Sequence, residues 1–315
     1  MVDLDYLEKG LYALSRAHRV NTMAGHLGAA VVAGYFIAEQ HPDLDPVVFQ
    51  GIEAELNRII RGESVFSPKK NAPISVAEMF KPFAKAQPHE NLIDGIADAL
   101  ADNIDQTRES GHNVIFAAIA IRALKDHPEF ATPSVTDGIR ALTIGFNGAT
   151  PGSGYYGKQR GRIDGREISL SKDDASPAYT DLRAMANAVL DTLIQHAPEH
   201  RQGFGGLWHV INHAAALAEL AKYGYRELAV KGLAAHHHHV LLWRTLPNAT
   251  DELGPRIPTE HDPRTPAFWQ SGNIRRDGAR LVHRIKTLYG FDALMPLVDD
   301  ETRREQGNHM LRYLM

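Results

Sequence analysis

Residues 25–33 read Gly25-His26-Leu27-Gly28-Ala29-Ala30-Val31-Val32-Ala33, and the same pattern returns twice. Residues 111–119 read Gly111-His112-Asn113-Val114-Ile115-Phe116-Ala117-Ala118-Ile119, and residues 208–216 read Trp208-His209-Val210-Ile211-Asn212-His213-Ala214-Ala215-Ala216. Each copy has a histidine, four residues, then three small or β-branched apolar ones. In the first two copies His41-Pro42 and His127-Pro128 close the segment, both 15 residues after the leading histidine. A second segment follows, opened by Asp45-Pro46 or Thr132-Pro133, while Gly224-Tyr225 makes the turn in the third copy. Inside the second segments Gly51-Ile52-Glu53-Ala54, Gly138-Ile139-Arg140-Ala141 and Gly232-Leu233-Ala234-Ala235 lie 25, 26 and 23 residues after their histidines. A first segment that is apolar all round is a buried helix, and an amphipathic second one shows a charged face to water. Three matches in one order, at nearly fixed offsets, describe a helical hairpin repeat.

Outward from the repeat, the 3.6-residue period dominates. Leu4, Leu7, Leu11 and Leu14 share one helix face, as do Val48, Ile52, Leu56 and Ile59. Leu92, Ile93, Ile96, Leu100 and Ile104 line another, opposite Asp94, Asp98, Asp102 and Asp105. Helices are expected at 4–17, 46–60, 75–86, 88–107, 112–126, 133–145, 177–195, 207–222, 226–245, 276–289 and 301–314. Ser75-Val76-Ala77-Glu78 is a capping box, and Asp45-Pro46, Thr132-Pro133 and Ser176-Pro177 each set a cap before a proline. Strand-like alternation is confined to Arg166–Leu170. The expectation is one all-α domain over 1–315, with hairpins near 25–56, 111–142 and 208–236. In its arrangement of hairpins the chain resembles an α/α toroid, the two-layered ring of terpenoid-cyclase-like and six-hairpin-like proteins; an irregular helical array is the alternative. Asp-rich motifs of the terpenoid cyclases are missing, since Asp173-Asp174 and Asp299-Asp300 lack a spaced third carboxylate.

Composition narrows the function. With 34 Lys plus Arg against 38 Asp plus Glu the net charge is −4, which argues against nucleic acid as a partner, since that needs a basic field. The 315 residues are 43% hydrophobic and 23% charged, as in an ordinary folded chain. No cysteine means no thiol nucleophile, thiolate metal site or disulfide. The acidic start Met1-Val2-Asp3-Leu4-Asp5 has no signal-peptide core, and Gly28–Ala38 is too short to span a bilayer. A cytoplasmic protein without membrane contact is expected.

Histidine is the outlier, at 17 residues. It titrates near neutrality and is the commonest metal ligand. His26, His112 and His209 each begin a buried helix, so parallel first helices in a ring would gather them at one mouth as catalytic acid/base groups. Asn21, Asn113 and Asn212 lie close by in sequence. His209 and His213, one helical turn apart, have the spacing of a two-ligand site, which would take zinc or iron. In the run His236 to His239, helical geometry lets only two, such as His236 and His239, face one site. The loop Gly145–Gly165 carries seven glycines with Tyr155, Tyr156 and Arg160, and reads as a lid whose cations hold an anionic group. Asp94/Asp98/Asp102 and Arg276/Arg280/Arg284 read as solvated stripes. The expectation is a small-molecule enzyme with a histidine-lined pocket at the helix N-termini, using acid/base or metal-assisted chemistry on a ligand with an anionic group. The competing reading is a non-catalytic helical scaffold that binds a partner peptide.

Overall fold

The computed structural model describes residues 1–170 and 178–315. Its class is all-α: among the described residues the regular elements are helices apart from one short β-hairpin. Close contacts divide the chain into two compact units. The first comprises Met1–Ala101, Phe116–Phe146 and His261–Tyr289, and the second Asp102–Ile115, Asn147–Glu260 and Gly290–Met315.

In the first unit α1 (Leu4–Ala17), α2 (Gly25–Gln40) and α7 (Pro133–Ile144) form the centre, beside α3 (Pro46–Ile60) and α5 (Asp94–Ala101). The chain buries every residue of α2 from Gly25 to Ala38, as its uniformly apolar sequence demands. Close approach is possible because Gly28 faces Gly10 and Leu14: a Cβ there would lie 2.5 Å from the Gly10 carbonyl oxygen and the Leu14 nitrogen. Asp45 caps α3 ahead of Pro46, and the capping box at Ser75 forms. That box opens only α4 (Val76–Met79), far shorter than the expected 75–86, since Pro82 follows within a turn.

The second unit is built on α8 (Leu182–His196), α9 (Gly206–Lys222), α10 (Arg226–Lys231) and α11 (Leu233–Arg244), with α15 (Glu301–Leu311) against α8. Asp181 caps α8, so this helix begins after the expected 177; Ser176-Pro177 and Asp173-Asp174 lie outside the described residues. The helix expected over 226–245 breaks at Gly232, where a Cβ would meet Leu217 and Ile104. The repeated glycines Gly51 and Gly138 are equally crowded, by Trp269 and by the Ser15 carbonyl. The hairpin repeat is therefore a repeat of close contacts.

Strand pairing falls inside the Gly-rich loop rather than at 166–170. Ser153–Tyr155 (β1) pairs antiparallel with Arg162–Asp164 (β2), and residues 165–167 form a single tight turn. The remaining helices are α6 (His112–Asp126), α12 (Thr250–Leu253), α13 (Pro266–Gln270) and α14 (Arg280–Leu294). Among the described residues no helix is long and apolar enough to cross a membrane.

Candidate functional site

Five buried histidines gather in the second unit: His112 on α6, His209 and His213 on α9, and His236 and His239 on α11. The rings of His112 and His209 lie 4.3 Å apart, and His213 lies 5.0 Å from His236 and 5.6 Å from His239. The three-residue offset from His236 to His239 turns both inward, while His237 and His238 stay half-buried.

Two stretches of left-handed backbone fix these rings. Glu109, Ser110 and Gly111 have φ of 42°, 60° and 84°, and Gly203, Phe204, Gly205 and Gly206 have φ of 143°, 45°, 68° and 65°. Non-glycine residues pay a steric penalty in this region and are held there by their surroundings. Both stretches turn carbonyls toward imidazoles. The Glu109 carbonyl accepts from His112 Nδ1, the Ser110 carbonyl from His209 Nδ1 at 3.2 Å, and the Phe204 carbonyl from His239 Nε2 at 2.8 Å. The Val210 carbonyl accepts from His236 Nε2 at 2.9 Å.

The Gly-rich loop clamps both stretches. Thr150 and Pro151 carbonyls accept from the Glu109 and Ser110 amides at 2.7 and 3.0 Å. Ser153 accepts from the Phe204 amide at 2.9 Å, and Gly154 bridges Gly203. A Cβ at Gly203 would lie 2.3 Å from the Gly154 Cα, so glycine is required for this contact. Gly111 has the same role at the rings, where a Cβ would lie 2.5 Å from His213 Nδ1.

These bonds decide the tautomers. A nitrogen that faces a carbonyl must carry the proton, so His239 is protonated on Nε2 and its Nδ1 is a lone pair. His213 Nδ1 lies 3.3 Å from that lone pair and therefore donates to it. His213 Nε2 is then a lone pair, and it has no hydrogen-bond partner among the described residues; His236 Nδ1 is in the same position. Burial holds the rings neutral: the His213 pKa falls well below the usual value, His236 is lowered to about 3 and His239 to about 4. Burial is the largest cause in each, with neighbouring histidines adding to it.

The other expected site residues are placed as follows. Asn113 donates to the Asn103 side chain and carbonyl at 2.8 and 3.1 Å, and Asn212 is buried on α9. Asn21 caps its own turn through the Ala24 amide. Tyr155 donates to Glu252 at 2.7 Å, while the Tyr156 hydroxyl meets Thr245. Tyr156 and Arg160 line a cavity of about 730 Å³ with Arg244, Thr245 and Glu167. Thr245 is six residues, roughly 9 Å of helix rise, beyond His239. A second cavity of about 360 Å³ is lined by Thr107, Arg108, Arg166 and His238 at the residues that lead into the 109–111 turn. His238 and Thr107 are joined at 3.0 Å.

His26 belongs to the first unit. Its ring stacks on Phe66 at 3.8 Å, meets Phe116 at 5.4 Å, and brings Nε2 to 3.2 Å from His283 Nε2. His283 gave no signal in the sequence beyond being a histidine on an amphipathic helix. Nearby the expected basic stripe is corrected. Arg284 is fully buried and donates to Glu55 at 2.7 Å, Arg276 donates to the same carboxylate at 2.6 Å, and Arg280 pairs with Asp277. A buried carboxylate must be paired, so Arg276 and Arg284 turn to Glu55. Asp94, Asp98 and Asp102 are exposed, as a solvated face.

Comparison of the chain with family models, with curated proteins and with solved structures returns no match.

Proposed function

We propose that the second unit is a small-molecule enzyme in which His213 Nε2 is the general base. The observation that supports this is its fixed tautomer: Nδ1 gives its proton to His239, His239 gives its own to the Phe204 carbonyl, and the lone pair of Nε2 is buried with no hydrogen-bond partner among the described residues. Proton abstraction at Nε2 makes an imidazolium whose Nδ1–H is already bonded, which holds the ring in place during transfer. Its lowered pKa keeps His213 unprotonated at neutral pH, and an anionic group on the ligand would raise its basicity once bound. Arg108 and Arg166, in the smaller cavity, supply cations for such a group. His112 and His209 orient the ligand. Metal assistance here would draw on His209 and His213, whose Nε2 atoms are the acceptor nitrogens.

The test is a screen of small carbon acids bearing a carboxylate or phosphate, incubated in D2O and read by proton loss in NMR. A responsive compound should exchange 10²–10⁴-fold more slowly with His213→Asn, which keeps a donor near Nδ1 and lacks Nε2. Exchange undiminished in that variant, or a wild-type His213 that ¹⁵N NMR finds protonated at pH 7, would reject the base assignment.

A further inference from the structure

His26 and His283, in the first unit, make a contact that two neutral imidazoles do not sustain. His26 Nδ1 lies 3.0 Å from the Met23 carbonyl, and His283 Nδ1 lies 2.8 Å from the Ala279 carbonyl. Each Nδ1 therefore carries its proton and donates it, which makes each Nε2 a lone pair. Those two lone pairs lie 3.2 Å apart, on side chains only 1% and 4% exposed. Two lone pairs this close repel one another unless a proton or a cation stands between them.

We infer that His26 and His283 are two ligands of a divalent first-row transition-metal ion. The separation of the ring centres matches lone pairs that converge on a metal more closely than a proton shared head-on. If both lone pairs aim at one point about 2.1 Å away, the usual metal–imidazole distance, ring centres about 1.1 Å behind each nitrogen fall about 4.9 Å apart. A proton shared head-on along the line of nitrogens would separate them by about 5.4 Å. The observed separation is 4.9 Å, with the planes inclined at 72°. The same construction gives a nitrogen–metal–nitrogen angle of about 100°, within the range of tetrahedral and octahedral sites.

The surroundings agree. Anchoring of each second ring nitrogen to a backbone carbonyl is the outer-shell arrangement of metal-bound histidine. Phe66 stacks on His26 and reaches His283 at 5.8 Å, and Phe116 meets His26, so the pair is walled by aromatic rings. Lys286, one turn along α14 from His283 and 5.6 Å from the Phe116 ring, is the cation of this enclosure. Its burial takes the amine pKa to about 7, which limits the positive charge that would oppose an ion. His26 and His283 supply two ligands, and the remaining coordination positions are open to a further side chain, water or a small ligand. Neither His26 nor His283 has a role in the proposed base chemistry.

The experiment starts from full-length protein stripped with chelator and titrates Co²⁺, followed by visible absorption. One equivalent should bind with ligand-field bands, and His26→Asn or His283→Asn should weaken it by 100-fold or more, while His309→Asn, at an exposed position of α15, leaves it unchanged. On wild-type protein ¹¹³Cd should couple to the Nε2 resonances of both histidines, a readout that needs no variant to fold. The inference is overturned if Co²⁺ fails to saturate, if binding survives loss of both histidines, if it is lost equally in His309→Asn, or if Cd²⁺ leaves both Nε2 resonances uncoupled.

Discussion

Lys286 and Arg284, two residues apart on α14, meet burial differently. Arg284 keeps its charge, because Glu55 accepts from it at 2.7 Å in the same dry environment. Lys286 Nζ has no hydrogen-bond partner among the described residues, and burial takes its pKa from 10.5 to about 7. Its folded pKa lies below the unfolded one, so between these two values the unfolded chain binds more protons and stability rises with pH. The cost is full at or below pH 7 and is gone once pH passes the unfolded value. Lys286→Met, of similar shape, should therefore stabilise the protein at pH 7, by on the order of 2–4 kcal/mol, with the gain fading toward about pH 10.5. Thermal melts of the pair across that range decide it; a variant that melts lower at pH 7, or a gain independent of pH, contradicts the account.

Among the elements, the Gly-rich loop has the clearest consequence. Its glycines suggested room for a ligand, yet at Gly154 and Gly152 they let backbone reach the two left-handed turns that aim carbonyls at histidines. Gly203→Ala should cost about 2–4 kcal/mol, because its Cβ meets main chain, which cannot rotate aside. It should also shift the ¹⁵N signals of His239 before those of His112, since Phe204 holds the former and Glu109 the latter. Equal shifts in both would mean that the two turns move as one. Helices with a full apolar stripe and a cap were legible in the sequence almost to the residue, as at Leu4–Ala17, Pro46–Ile60 and His112–Asp126. Legibility failed where one residue interrupts a good period: Pro82 after α4, and Gly232 between α10 and α11. Period counting averages over a window, and a break is a single contact. The pairing of His236 with His239 could be read from helical geometry, whereas the carbonyl partners could not, because they come from turns distant in sequence.

At the scale of the molecule, the buried imidazoles couple folding to proton uptake. His236 and His239 are lowered to about 3 and 4, so the folded chain refuses protons that the unfolded chain accepts below about pH 6.5. Their stabilisation is present above the unfolded value and is lost as pH falls toward the folded ones. Each group steepens the loss by up to about 1.4 kcal/mol per pH unit. Urea denaturation between pH 7 and 4.5 should show this fall, and His236→Asn should make it shallower by close to one proton; parallel profiles would refute the linkage. The leading histidines of the hairpin repeat were legible as a set of buried helix-start residues, whereas the ring that each packs on was not: His112 meets His209, and His26 meets His283, a residue the repeat does not contain. Sequence offsets place residues along helices and say nothing about rotation around them. The run of four histidines has a practical side as well. It spells out most of an affinity handle, yet α11 keeps His236 and His239 sealed and leaves His237 and His238 only half accessible. Immobilised nickel can grip this run fully only in chains whose α11 has come loose, so retention through it would sort damaged molecules from intact ones.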